Sequence, residues 1–356
     1  MHSYQLERLN ALLLFAKEHS SFYEHNLKDI TLPLTSLDEL NKIVIVQKTD
    51  LINRNSEVST VDSFAFSKIF RAETSGTSGQ TLEFYKDEFW DSYNRASIRR
   101  GYSWYGVEPW DRNGYLWGFN LRGFSRVKAY VADMLQNRFR LFSYSPREVE
   151  WFVSKLGSVT YLHGYSSMIY EMAKMVNDGR LEVGKSSIAL IKGMSDKIFD
   201  FYQVAIKRAF GSKMVSEYGS AEAGIIAFEC PHGKMHVNME NCIVEVDSDS
   251  EIFVTNLNSY SFPIIRYKQG DIISLETGSK RCVCGVNHDV ILEVTGRVGK
   301  KIHGQMKSYP SLLIYYIFKN LYFDYGVSLD AQFIQLRKGF LSVRFVDALD
   351  DALVAI

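Results

Sequence analysis

No apolar run in this chain approaches the ~18 residues that a membrane-spanning helix requires. The apolar stretch near the start, Leu12-Leu-Leu-Phe15, is short and flanked by Glu7, Arg8, Lys17 and Glu18, which excludes a secretory core there. Neither sign of charge is in excess, with 41 Lys+Arg against 41 Asp+Glu, so no basic face for nucleic acid is expected. There is no internal repeat and no low-complexity tract. Cysteine is scarce: the four residues Cys230, Cys242, Cys282 and Cys284 are expected as reduced thiols of a cytoplasmic protein, not as a disulfide framework. What is present is 46% hydrophobic and 14% aromatic residues in 356, enough for a globular chain of two or three domains.

The amino-terminal end reads as helical over Tyr4–Lys17, with Leu6, Leu9, Leu12 and Leu13 on one face. Ser36-x-x-Glu39 predicts a capping box, and Ser145-Pro-Arg-Glu148 predicts a helix reaching about Leu156. A further helix is expected over Asp87–Arg100. Strand-like runs at Val159–His163, Ser187–Lys192 and Lys213–Tyr218 then alternate with helical runs at Ser166–Met175 and Lys197–Phe210. That alternation predicts an α/β fold with a mainly parallel, helix-covered sheet. From Met235 the runs shorten (Ile243–Val246, Ile252–Thr255, Val290–Thr295), which predicts a smaller antiparallel layer.

Between the strand-like runs 68–72 and 82–85 stand eight small or polar residues, Thr74-Ser-Gly-Thr-Ser-Gly-Gln-Thr81. Gly76 and Gly79 permit positive φ, and successive N–H groups with the hydroxyls of Thr74, Ser75, Thr77 and Ser78 can form an anion-binding nest. It is neither a Walker loop nor G-x-G-x-x-G; composition alone equally admits a Ser/Gly linker. Ser216-Glu-Tyr-Gly-Ser-Ala-Glu-Ala-Gly224 follows a strand and offers the Tyr218 ring, the Ser220 hydroxyl and the Glu222 carboxylate, or simply a turn into a helix. Asp271 follows Gly270 and could bind a diol or only close a turn. Arg297, at a strand end, is a candidate for phosphate or ribose. Cys230-x5-His236 and Cys282-x-Cys284 could gather as a Cys₃His zinc site, with His232 as rival for the histidine position; Cys242 reads as a buried thiol.

In this order and spacing the stretches resemble the adenylate-forming (acyl-activating) enzymes, most of all the phenylacetate–CoA ligase-like branch with its CapK-type capsule-cluster relatives. The resemblance runs from residue 1 to about 345 and includes Gln5-Leu-Glu-Arg8, Tyr165-Ser-Ser167 and Thr255-Asn-Leu-Asn-Ser-Tyr-Ser-Phe-Pro-Ile-Ile-Arg266. It implies that Thr74, Ser75, Gly76, Thr77, Ser78 and Gly79 hold the ATP phosphates. Tyr218, with Gly219 and Ser220, would pack on adenine, Glu222 would hold Mg²⁺, and Asp271 would bind the ribose. Arg297 would lie beside the ribose and α-phosphate, with Glu222 and Arg297 as the catalytic pair. It further implies structural Zn²⁺, a carboxylic-acid substrate, CoA or another acyl acceptor, and a role in polysaccharide biosynthesis; it admits a homodimer.

The sequence departs from that pattern at Gln80, where many relatives have lysine, at Met194-Ser195 after Gly193, and at Gly299 near the expected hinge. A carboxyl-terminal Gly-Lys segment is not found before Ile356, and Lys338-Gly339 does not match it. The expectation is therefore a nucleotide-binding domain over 1–295 and a reduced α+β lobe over 296–356. The expected activity is that of an acid–thiol ligase, slowed by the missing lysine. The alternatives are a weakly catalytic nucleotide-binding partner or scaffold, and an acyltransferase using the same pocket.

Overall fold

Leu9, Leu12, Leu13 and Ala16 recur at helical spacing, and all four are buried on one side of helix α1 (His2–His19). The computed structural model describes residues 1–74, 81–116, 123–143, 145–184, 188–194, 198–278, 281–297, 302–306, 308–309, 317 and 331–345, with only the backbone of 295–297 and 308. After α1 come the short helices α2 (Ser21–Asn26), α3 (Lys48–Asn53) and α4 (Asn55–Val58). Ser36 does not cap a helix. The Glu39 carboxylate instead accepts from the Thr35 N–H (2.7 Å) and hydroxyl (2.9 Å), and only a 3₁₀ turn forms over Leu37–Lys42.

Strands β1 (Ile69–Glu73) and β2 (Glu83–Asp87) form an antiparallel hairpin around the glycine loop. Helix α5 (Glu88–Ser103) starts at Asp87, whose carboxylate accepts the Trp90 N–H at 3.0 Å. Then follow β3 (Asn113–Leu116), α6 (Gly123–Leu135), β4 (Arg138–Arg140) and α7 (Pro146–Ser154). Ser145 caps α7 with proline in its first turn, as the spacing predicts. The chain continues through β5 (Tyr161–Tyr165), α8 (Ser166–Asn177), β6 (Leu190–Met194), α9 (Asp200–Phe210) and β7 (Met214–Ser220). Strands β5, β6 and β7 begin at Tyr161, Leu190 and Met214, one to three residues after the starts expected at 159, 187 and 213.

The remaining strands of the sheet are β8 (Gly224–Glu229), β9 (Met235–Val237), β10 (Cys242–Val246), β11 (Glu251–Asn256), β12 (Tyr267–Glu276) and β13 (Val290–Arg297). One strand order, β10-β11-β12-β13-β9-β8-β7-β6-β5-β3-β4, joins them all. It is parallel from β4 to β7 and antiparallel from β7 to β10. The fold is the expected α/β one, and its parallel and antiparallel parts join at β7, parallel to β6 and antiparallel to β8. Among the described residues, a further antiparallel hairpin, Ala331–Arg337 with Phe340–Phe345, stands apart from this sheet.

Four apolar clusters lie among the described residues, one of them around Tyr102, Tyr161, Leu190 and Phe228 where α5 meets the sheet, and the other three are larger. Of those three, one packs α7, α8 and α9 on the parallel strands through Phe152, Ile169, Ile191, Ile206 and Met214. A second fills the antiparallel strands with Ile226, Val237, Ile252, Val254, Ile273 and Ile291. The third joins the amino-terminal helices to residues 257–267. There Gln5 Nε2 donates to the Cys242 carbonyl (3.0 Å) and Arg8 Nη2 to Asn258 Oδ1 (2.9 Å), which fixes α1 on the sheet. Asp87 also accepts the N–H groups of Tyr260 and Ser261, so this buried loop has its backbone donors satisfied. No described helix is long and apolar enough to cross a membrane.

Candidate functional site

The Ser216–Gly224 stretch does not enter a helix. It is the second half of β7 and the turn into β8, with Tyr218 opposite Ala227 and Ser220 opposite Gly224. Ser220 Oγ accepts the Ala223 N–H at 3.1 Å and so braces the turn. Gly219 is needed for packing, since a Cβ there would lie 2.3 Å from the Gly224 carbonyl oxygen. The turn carries Glu222, while Tyr218 stands four residues earlier, within β7.

Strand β12 lies across this hairpin. Alternation along Tyr267-Lys-Gln-Gly-Asp271 places Tyr267, Gln269 and Asp271 on one face. The Tyr267 hydroxyl donates to Glu222 Oε1 (2.8 Å), and the Tyr218 hydroxyl donates to Asp271 Oδ2 (2.9 Å). Four residues along β12 match four along the hairpin, in the opposite sense. Between them Gln269 Nε2 donates to Asp271 Oδ2 (3.2 Å) and to the Tyr218 oxygen (3.3 Å). Its Oε1 is buried without a hydrogen-bond partner among the described residues. β12 and β7 are separated by three strands in the sheet order, so these contacts require the antiparallel ribbon to curl until β12 faces the β7–β8 hairpin.

Glu222 and Asp271 are 6% and 7% exposed. Among the described residues Glu222 makes no ion pair; its one oxygen is held by a neutral phenol. Such a carboxylate can join phosphate oxygens around a hard divalent cation, since Mg²⁺ takes one or two protein carboxylates and completes its shell elsewhere. Asp271 stands opposite Arg297 in the β12–β13 ladder, which brings those two backbones together; the Arg297 side chain lies outside the described residues. Thr74 is buried at the neck of the glycine loop, where its Oγ1 accepts from the Leu82 N–H (3.0 Å). Ser75, Gly76, Thr77, Ser78 and Gly79 lie outside the described residues, as do Gln80, Trp117, Ser195 and Gly299.

A second cluster sits where the ribbon curls. Ligand atoms of Cys230, His236, Cys282 and Cys284 all lie within 4.8 Å of one another. Cys230 Sγ is 4.0 Å from Cys282 Sγ, and Cys284 Sγ is 3.2 Å from His236 Nε2. A tetrahedral ion with Zn–S of ~2.3 Å would set sulfurs about 3.8 Å apart, so the donor set fits zinc in both chemistry and size. Cys230-Pro-His-Gly233 and Cys282-Val-Cys-Gly285 form matching turns. In each, the glycine has positive φ and donates its N–H to the first cysteine's carbonyl, at 2.8 and 2.9 Å. His236 is buried in β9 between β8 and β13, whereas His232 is exposed and outside the cluster. Cys242 is buried elsewhere, and burial pushes its thiol up to about 12. Trp104 packs edge-on against His236 and Phe228, which makes it part of this cluster's wall.

Tyr267 and Gln269 were not among the residues singled out from the sequence. Period-two alternation ahead of Asp271 was the available signal for both.

No family model matches the chain. Its fold is that of solved adenylate-forming CoA ligases. 2-Hydroxyisobutyryl-CoA ligase in the postadenylation state with R3-HIB-AMP superposes with a TM-score of 0.72 at 18% identity, covering 96% of this chain and 77% of that one. The same ligase with 2-HIB-AMP and CoA in the thioesterification state gives 0.70 at 20% identity, covering 97% and 78%. Among curated proteins, this chain is similar to protein CapK of Staphylococcus aureus, at 21% identity over 284 residues, or 76% of this chain. The chain spans 62% of CapK's length.

Proposed function

We propose that this chain is an adenylate-forming ligase that uses ATP to convert a carboxylic acid into an acyl-adenylate and passes the acyl group to CoA or another acceptor. The observation that carries the reading is the crossing of β12 over the β7–β8 hairpin, which joins Tyr218 to Asp271 and Tyr267 to Glu222 through single hydrogen bonds. In this reading Asp271 accepts both ribose hydroxyls, Tyr218 offers its ring to adenine, and Gln269 keeps the two in register. Arg297, opposite Asp271, lies beside the ribose and α-phosphate. Glu222 holds Mg²⁺ at the phosphates, where the cation neutralises charge, and the Thr74–Gly79 loop wraps the terminal phosphates.

The substrate carboxylate oxygen attacks the α-phosphorus, the bond to pyrophosphate breaks, and the acceptor then attacks the acyl carbon with AMP leaving. No protein nucleophile is required; the residues orient the reactants and balance charge. The Cys230–His236–Cys282–Cys284 set holds a structural zinc that pins the curled ribbon on which Tyr218 and Asp271 meet. The test is pyrophosphate release from MgATP across a panel of carboxylic acids, with and without CoA. Acid-dependent release supports the reading, and no release with any acid, together with no AMP binding, removes it.

A further inference from the structure

Strand alternation places Phe84 and Lys86 on the same face of the β1–β2 hairpin, and both turn inward. The Lys86 ammonium stands 3.9 Å from the centroid of the Trp90 ring and 5.4 Å from that of Phe84. Among the described residues it makes no ion pair and no hydrogen bond. Its side chain is half-buried, and burial lowers its pKa to about 8, with only the distant pull of Asp91 and Glu222 in the other direction. Asp91 is taken by Arg95 at 2.6 Å. The contrast with other enclosed lysines is plain: Lys192 has Glu217 at 2.7 Å, and Lys268 has Glu251 at 2.7 Å.

Two rings account for the stem and one face of the ammonium, but an ammonium carries three donors. Its position says what those donors face. Trp90 packs on the β7–β8 turn, where a Cβ on Gly224 would lie 3.2 Å from the ring. Lys86, held on Trp90, therefore overlooks the turn that carries Glu222, whose charge it feels. If the nucleoside lies at Tyr218 and Asp271, the group that extends toward Glu222 is its phosphate chain.

We propose that Lys86 binds the terminal phosphates of the nucleotide, supplying from β2 a cation that the glycine loop, with Gln80, does not carry. This rests on the nucleotide reading above. Lys86 is a strong point-charge donor on a flexible stem, suited to a non-bridging phosphate oxygen.

The test is calorimetric titration of wild type, Lys86→Met and Lys86→Arg with MgATP and, separately, with AMP. Lys86→Met should weaken MgATP about tenfold or more, the scale of one hydrogen bond to a charged group, and leave AMP within about twofold. Lys86→Arg should retain most of the MgATP affinity. Equal effects on both nucleotides, or none on either, overturn the proposal while the nucleotide reading stands. A wild type that binds neither nucleotide overturns both. Should Lys86→Met not fold, the wild type itself answers through modification by an amine-acylating reagent and peptide mapping. MgATP should protect Lys86 and AMP should not; equal protection by the two contradicts the proposal.

Discussion

The parallel half of the sheet and the β7–β8 turn treat buried charge differently, although the antiparallel strands also pair Glu251 with Lys268 and Glu245 with Arg266. In the parallel half, charge is matched by opposite charge. Lys192 meets Glu217 at 2.7 Å with side chains 4% and 8% exposed, and Asp133 meets Arg138 (2.6 Å) and Arg140 (2.8 Å). Burial disfavours the Lys192 ammonium, yet the Glu217 carboxylate holds its pKa above the ordinary value. His163, next to Lys192 in the ladder, is kept neutral by burial and by the surrounding cations. On the curled half, Glu222 is equally buried but meets only the Tyr267 hydroxyl among the described residues. The first half holds its charges closed on themselves. The turn leaves a buried carboxylate with only a neutral donor among the described residues.

The largest break in this comparison should come from the metal cluster. Cys282→Ser or Cys284→Ser should lose close to one zinc per chain and lower the unfolding temperature by ten degrees or more (order of magnitude). Cys242→Ser should keep the metal. Elemental analysis with thermal melts checks both.

Next in size is the closed pair. Lys192→Met leaves Glu217 buried without its cation and should cost about 3–5 kcal/mol, by denaturant unfolding. Adding Glu217→Leu should recover most of that loss. If the single variant costs nothing, the parallel half is not held as described.

Legibility followed the same division. Helix α7 was readable because its cap, its proline and its apolar face all lie within one short segment, and α8 and α9 through their apolar faces, without a side-chain cap or a proline. The ordered set of motifs pointed to the fold that the solved ligases share. Short range fails on the curled half. Nothing near Glu222 predicts Tyr267, 45 residues on, whereas the Cys/His spacing did foresee that Cys230 and Cys282 meet across 52 residues. Ser36 shows the local version of the same limit, since Thr35 took the carboxylate intended for the cap. The hairpin turn after Tyr218 was read as a strand end because its bracing bond, Ser220 to Ala223, has no sequence signature distinct from a helix start.

A smaller effect concerns Lys86. Its folded pKa is about 8 against an ordinary 10.5, so the unfolded chain binds more protons between those values. Stability should therefore be flat below pH 8 and rise as pH climbs toward 10.5, by about 2 kcal/mol relative to Lys86→Met after discounting for solvent. A fall over that window would mean that an anion of the protein already pairs with this ammonium. Smallest is Gln269→Leu. It should leave folding intact and weaken AMP by about 1 kcal/mol, the worth of one neutral hydrogen bond, because Tyr218 and Asp271 lose the amide that spaces them.

The most direct measurement is calorimetric titration of wild type and Asp271→Ala with AMP. The account predicts that wild type binds AMP and that the variant, folded and zinc-loaded, binds it more weakly by roughly 1.5–3 kcal/mol. Unchanged AMP affinity in the variant, or no AMP binding by wild type, would contradict it.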